Sequence, residues 1–226
     1  MDNNQPVSYR TNLLVSAVAI LVMVAISTYA WFQLPDGVPV CTHWNAAGVC
    51  DGWGSKATGL FLMPIVVAGV VGLFAIIPRV DPRRANIAKS RTAYTAVWFT
   101  MLLFFVVFHG IVTLNLLGYK ADIGALMPVL TGVIFVAIGS VMGRVKSNYF
   151  FGIRTPWTLS SELAWEKTHR LGGWLFIAEG LLIALGALLF PGELWVYVLL
   201  GSIVVMLVTV TLYSYLVWKQ DPSVRV

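Results

Sequence analysis

The chain has 226 residues, 58% of them hydrophobic and only 11% charged, with a formal net charge of +5. Soluble domains run nearer about 45–50% apolar, so a mean hydropathy of +0.82 excludes an ordinary water-soluble core. The basic excess is accounted for by membrane topology and anionic lipid, and no nucleic-acid-binding motif accompanies it.

Six uninterrupted apolar runs fall at 11–32, 58–78, 92–117, 123–143, 171–190 and 195–218. Each approaches the roughly 20 residues that a helix needs to cross about 30 Å of hydrocarbon. In lipid every backbone N–H and C=O must be satisfied within its own segment, so the runs predict helices. The first is too long for a signal peptide and lacks a small-residue cleavage site, so it is expected to be retained. The expected fold class is an all-α integral membrane protein with six transmembrane helices. Six spans put both termini on one side, and that side holds thirteen of the fifteen Lys and Arg, leaving Lys56 and Lys120 on the other. The positive-inside rule makes the basic side cytoplasmic. Three units follow: 11–78 with an external loop at 33–57, 79–122 with a basic loop and the third span, and 123–218 with a polar cytoplasmic segment at 144–170.

The external loop reads QLPDGVPVCTHWNAAGVCDGWGSKA. Pro35, Gly37, Pro39, Gly48, Gly52 and Gly54 punctuate it as consecutive turns rather than a helix. Cys41 and Cys50 are the only cysteines, and both lie on the predicted outer side, where disulfides persist. Bonding them would rigidify the turns around His43 and Trp44. The alternative is a metal site from Cys41, His43, Cys50 and Asp51, but the paired CxxC or HxxxH spacing of a zinc site is missing. A disulfide, with no metal and no cofactor, is the expectation.

Within the spans, the small-residue pairs Ala68/Gly72, Gly139/Gly143 and Gly180/Ala184 allow close helix approach. They support a bundle without pointing to a function. His109 lies about seventeen residues, roughly 26 Å, along the third span from the cytoplasmic face, where a structural role is expected.

The segment SNYFFGIRTPWTLSSELAWEKTHRLGG, residues 147–173, concentrates charge between two apolar runs. Asn148 to Trp157 carries Gly152 and Pro156 and no helical period, which predicts a loop. A helix is expected from Thr158 onward, capped by Thr158 or Ser160, with Glu162 suited to its positive end. On that helix Trp165 and His169 share a face, as do Glu166 and Arg170. An interfacial elbow would place Trp157 and Trp165 among headgroups. That reading leaves unexplained why Arg154 sits in a Gly/Pro-constrained turn, a placement suited to a fixed guanidinium gripping a carboxylate, a phosphate or carbonyls.

Glu179 falls about eight residues, roughly 12 Å, inside the fifth span. A carboxyl at that depth is a functional candidate by default and is expected to be hydrogen-bonded, with Thr100, Thr211 and Tyr213 nearest its level. Helix–helix glue and a proton or ligand role both remain open for it.

The run from Asn148 to Leu159 (N-x-x-x-G-I-R-T-P-W-T-L), followed by Trp165, Thr168, His169 and Arg170 (W-x-x-T-H-R), resembles the signature of the SdpI family of membrane proteins. The external LPDGVP…HWNAAGVCDGWGSK resembles the short domain of unknown function that often precedes it. The cytoplasmic signature falls on Asn148, Gly152, Arg154, Thr155, Pro156, Trp157, Trp165, His169 and Arg170. The external one falls on Pro39, His43, Gly48, Asp51, Gly52, Gly54 and Lys56. Cys41 and Thr42 lengthen the family's gap from Pro39 to His43, and both cysteines read as local additions. The resemblance implies a six-span protein of a prokaryotic plasma membrane that protects against a secreted peptide toxin. It also implies a receptor role in which a transcriptional repressor is held at the membrane.

Three functional classes are thereby ranked. An immunity or receptor protein comes first, with the outer loop sensing a peptide and the cytoplasmic segment docking a partner. A small transporter or channel with Glu179 in its path is the alternative, although no paired broken helices support it. An enzyme is not expected: His43, Asp51, His109 and His169 are scattered over different depths, and neither HExxH nor GxSxG occurs.

Overall fold

The structure is a computed structural model that describes residues 9–45, 48–189 and 194–224. Helix α1 (Arg10–Gln33) leads into a hairpin of β1 (Val40–Trp44) and β2 (Cys50–Gly54), from which α2 (Lys56–Val80) returns. A short α3 (Arg84–Lys89) precedes α4 (Arg91–Leu116) and α5 (Ile123–Met142). After a loop come α6 (Pro156–Ser160), α7 (Glu162–Leu189) and α8 (Leu194–Gln220). Helices α1, α2 and α4 pack as one group and α5, α7 and α8 as another, joined through α4 and α5.

The distribution of polarity is the reverse of a soluble bundle. Asn12, Ser16 and Ser27 of α1 are buried, whereas Leu14, Val18, Leu21 and Phe32 face outward. The buried groups tie α1 to α4: Trp98 Nε1 donates to Ser16 Oγ at 2.9 Å and Asn12 Nδ2 to Thr95 Oγ1 at 3.4 Å. With lipid as the solvent no hydrophobic force pairs the helices, so close packing and interhelical hydrogen bonds hold them. Among the described residues five helices are long and apolar enough to cross a membrane: Arg10–Gln33, Lys56–Val80, Arg91–Leu116, Ile123–Met142 and Val196–Gln220. Helix α7 is not among them. It is one continuous helix of 28 residues whose first turns carry Glu162, Glu166, Lys167, His169 and Arg170.

Among the described residues helices α5 and α7 make the most extensive contact, and glycines seven residues apart on each explain it. A Cβ on Gly132 would come within 2.4 Å of the Gly180 carbonyl, and one on Gly139 within 2.6 Å of the Gly173 carbonyl. Of the small residues singled out in the sequence, Gly139, Gly180 and Ala184 lie at this seam. Gly72 has open space around it and Gly143 only ordinary contact. The Gly180/Ala184 pair thus packs on Gly132 at its four-residue spacing, while the glycines themselves recur every seven residues because the seam follows two helical turns.

Two local expectations are corrected. The outer loop is not turns alone: its glycines and prolines bracket an antiparallel hairpin with irregular register around His43, which Val40, Cys41, Thr42 and Trp44 favour through their strand propensity. The helix expected from Thr158 is two helices. Thr155 caps the first, accepting from the Thr158 amide at 3.1 Å, and Ser161 caps the second, accepting from the Ala164 amide at 2.9 Å. The turn between the third and fourth long helices closes on Asp122, which accepts from the Ala125 amide at 3.0 Å. The short turn that the apolar runs at 171–190 and 195–218 leave between them falls almost wholly outside the described residues, as does Arg225.

Candidate functional site

The polar segment between α5 and α7 is held from every side. Asn148 is fully buried and uses both ends of its amide. Nδ2 donates to the carbonyls of Lys146 and Phe151, each at 3.0 Å, and Oδ1 accepts from the amides of Phe150 at 2.9 Å and Phe151 at 2.8 Å. All four hydrogen-bonding positions of the side chain are filled, so Asn148 acts as the template of the turn. Gly152 follows with φ +105°, a conformation that L side chains rarely adopt. A Cβ there would also come within 2.4 Å of His169 Nε2.

His169 closes the turn. The amide of Ile153 donates to His169 Nε2 at 2.9 Å, and Nδ1 lies 2.8 Å from the Trp165 carbonyl. A carbonyl only accepts, so Nδ1 carries the proton and Nε2 is the acceptor; the ring is neutral. Burial lowers its pKa from 6.5 to about 4, against the opposing hydrogen bond to Trp165. The imidazole also stacks on the Trp165 indole, with centroids 4.0 Å apart, and Trp165 Nε1 donates to the Val145 carbonyl at 2.8 Å.

The remaining signature residues point elsewhere. Thr155 Oγ1 lies 2.9 Å from Ser214 Oγ on α8, and the Trp157 ring sits 5.2 Å from Tyr215. Pro156 opens α6, where its missing N–H costs nothing. Arg154 is exposed and donates from Nη1 to the Tyr149 carbonyl at 2.6 Å; of the partners expected for it, a backbone carbonyl is the one it contacts. Arg170 is exposed, and Glu166 pairs with Lys146 at 2.8 Å. That hydrogen bond from Lys146 to Glu166 raises the lysine pKa.

Sequence reasoning missed the other half of this site. Asp81, Arg83 and Asn86, read only as part of a basic loop, clamp the segment from below. Asp81 Oδ2 accepts from the Tyr149 amide at 2.9 Å. Arg83 donates to Ser147 Oγ and, at 2.9 Å, to the Leu159 carbonyl, while its guanidinium lies 4.8 Å over the Tyr149 ring. Asn86 Nδ2 donates to the Ser147 carbonyl at 2.9 Å. The embedded guanidinium is therefore Arg83. A signal was present in the Asp81-Pro82-Arg83 turn, whose acid among so many bases had no role in the topology. Asp221 was missed likewise; it accepts from Ser161 Oγ, and this bond lowers its pKa.

At the opposite end of the bundle Cys41 and Cys50 are bonded to one another, which leaves no thiolate for a metal. His43 Nδ1 and Asp51 Oδ1 are 2.5 Å apart on the exposed face of the hairpin. Lys56 is buried: Nζ donates to the Leu34 carbonyl at 2.7 Å and to Asp36 at 2.8 Å, and lies 4.5 Å from the Trp31 ring centroid. Trp44 is half-buried and borders the space between the hairpin and the adjoining ends of α2 and α4. Inside the bundle the Glu179 carboxyl is 5% exposed and accepts from Ser202 Oγ of α8 at 2.7 Å. Ser202 replaces the three partners expected for Glu179, because α8 runs back along α7 and brings its first half to that depth. His109 Nε2 lies 3.1 Å from Ser27 Oγ and 3.2 Å from the Met23 carbonyl.

Comparison with known proteins adds three findings. Residues 144–214 match the SdpI/YfhL protein family, and residues 18–68 match a domain of unknown function, DUF1648. Among curated proteins, the immunity protein SdpI of Bacillus subtilis (strain 168) is 24% identical over 211 residues, covering 92% of this chain and 96% of that protein. No solved structure matches.

Proposed function

The chain belongs to the SdpI/YfhL family, with a DUF1648 unit ahead of it, and on that basis we propose that it is a membrane immunity protein and receptor. In this reading six helices span the plasma membrane, α7 completing the set, and both termini lie in the cytoplasm with the basic loops. The units are those at 11–78, 79–122 and 123–218. The hairpin faces outward and meets a secreted peptide toxin; the segment at 144–170 faces inward and presents a surface to a cytoplasmic partner, a transcriptional repressor held at the membrane. His43, Trp44, Asp51 and Lys56 serve the outer face. Asn148, Gly152, Arg154, Thr155, Pro156, Trp157, Trp165, His169 and Arg170 serve the inner one. No chemical step is assigned to any of them.

One observation carries the reading. Tyr149 and Phe150 are exposed, although the backbone beneath them is locked by Asn148, Asp81 and His169. Arg83 covers one face of the Tyr149 ring, but a loop that only turned the chain would not need the exposed Phe150 on so rigid a frame, whereas a rigid exposed aromatic suits partner contact. Expression in a toxin-sensitive bacterium, challenged with a secreted killing peptide, tests the first half; fractionation of a repressor with the membrane tests the second. Survival equal to that of the empty vector would remove the immunity role. A transporter with Glu179 in its path is the competing reading, and solute flux into liposomes containing the purified protein would favour it.

A further inference from the structure

A cavity of ≈ 60 Å³ lies beneath the hairpin, where the ends of α2 and α4 meet it. Thr42 and Trp44 of β1 form one wall, Thr58 and Leu62 of α2 a second, and His109 and Val112 of α4 the third. The apolar lining exceeds the polar, and the cavity is partly open. Its size sets what it can hold. A void of about 150 Å³ takes a benzene ring, so this one takes a branched aliphatic group and no ring.

His109 gives the cavity a route into the bundle. Its Nε2 faces Ser27 Oγ and the Met23 carbonyl of α1, and Ser27 Oγ donates onward to the Leu60 carbonyl of α2 at 2.6 Å. Its Nδ1 is buried without a partner. The ring is thus anchored through one edge only, to α1, and pressure on it from the cavity falls on the α1–α4 contact. His43 and Asp51, paired on the outer face of the hairpin, do not line the cavity.

We propose that this cavity binds one small aliphatic side chain, of valine or leucine size, from an extracellular peptide, with Trp44 and Val112 as its contacts and His109 as the residue that passes the displacement to α1. The proposal rests on the reading of the chain as a receptor for an extracellular peptide and names the part of the peptide that enters. A side chain is favoured over a lipid tail because the hairpin supplies a wall, which places the cavity at the helix ends rather than at mid-bilayer.

The test uses the full-length protein in nanodiscs and four probes: the N-acetyl amides of glycine, valine, leucine and tryptophan. Saturation-transfer NMR titrations should show saturable binding of the valine and leucine amides, in the millimolar range expected of so few buried heavy atoms. The glycine amide, with no apolar group to bury, and the tryptophan amide, too large, should each bind at least tenfold more weakly. Val112→Phe should abolish the saturable signal, and Leu62→Trp, at a half-exposed wall position, should do the same if the first variant fails to fold. Leu14→Ala, on the exposed face of α1 and outside the cavity lining, should leave it unchanged. Signals that rise linearly and match empty nanodiscs would mean partition into lipid and would overturn the proposal. So would tight binding of the tryptophan amide, or unchanged valine binding in both filled variants. If wild type protects cells and Val112→Phe protects equally, the immunity reading stands and the cavity proposal falls. If the amides bind as expected but wild type gives no protection, the cavity stands and the immunity reading falls.

Discussion

The amide of Ile153 donates to Nε2 of His169 at 2.9 Å, sixteen residues along the chain. That bond is possible only while the imidazole is neutral, because a protonated ring has no acceptor nitrogen. The turn after α5 is therefore fastened to α7 through a group whose charge state depends on pH.

A pH dependence follows with a definite sign. Burial lowers the His169 pKa from 6.5 to about 4, so between these values the unfolded chain binds a proton that the folded one does not. Stability rises with pH in that window. The contribution is complete above 6.5 and is lost as pH falls toward 4, amounting to roughly 3 kcal/mol at about 1.4 kcal/mol per pH unit. Thermal unfolding of the detergent-solubilised protein should show the loss, and His169→Gln should flatten it. An identical pH profile for the variant would assign the dependence to another group.

Gly152→Ala should loosen the same turn. The residue must keep φ +105° and would press its methyl on His169 Nε2, at a cost of about 1–3 kcal/mol. Limited proteolysis of the solubilised protein should then cut between residues 148 and 156 at least tenfold faster than in wild type. Wild-type resistance in the variant would mean that His169 moves aside without penalty.

The two arginines of the site should separate by phenotype. Arg83→Lys keeps the charge but loses the planar fork that reaches both Ser147 and Leu159, so the loop should become protease-sensitive. Arg154→Lys gives up one bond to an exposed carbonyl. It should leave protease resistance unchanged while impairing protection or partner recruitment. Equal protease sensitivity in the two would contradict the assignment of Arg83 as the structural clamp.

The outer hairpin should depend on its disulfide. A membrane-impermeant thiol reagent should label Cys41 and Cys50 on intact cells only after reduction. Labelling without reductant would exclude the bond, and labelling only after lysis would reverse the proposed orientation.

Glu179→Gln should preserve folding, since the amide oxygen can still accept from Ser202 Oγ. Gly180→Val should not, because even a Cβ there would come within 2.5 Å of the Gly132 carbonyl. Size-exclusion profiles after detergent extraction compare the two. Loss of protection by Glu179→Gln with a normal profile would shift weight to a proton-carrying role.

Much of this protein is legible in one dimension, because the features concerned are local. The long apolar helices follow from run length, since a helix satisfies its backbone within itself. Trp165 and His169 share a face because they are four residues apart, and they stack at 4.0 Å. Cys41 and Cys50 lie close enough along the chain for a hairpin to join them. The rest needed the third dimension. Nothing near Glu179 in sequence marks Ser202, nothing near Tyr149 marks Asp81 and Arg83, and the α5–α7 glycines match only once the helices are in register. Those relationships join residues 23 to 68 positions apart. What pairs them is how helices settle against one another in lipid, where packing and hydrogen bonds between segments choose the partners that no single segment contains.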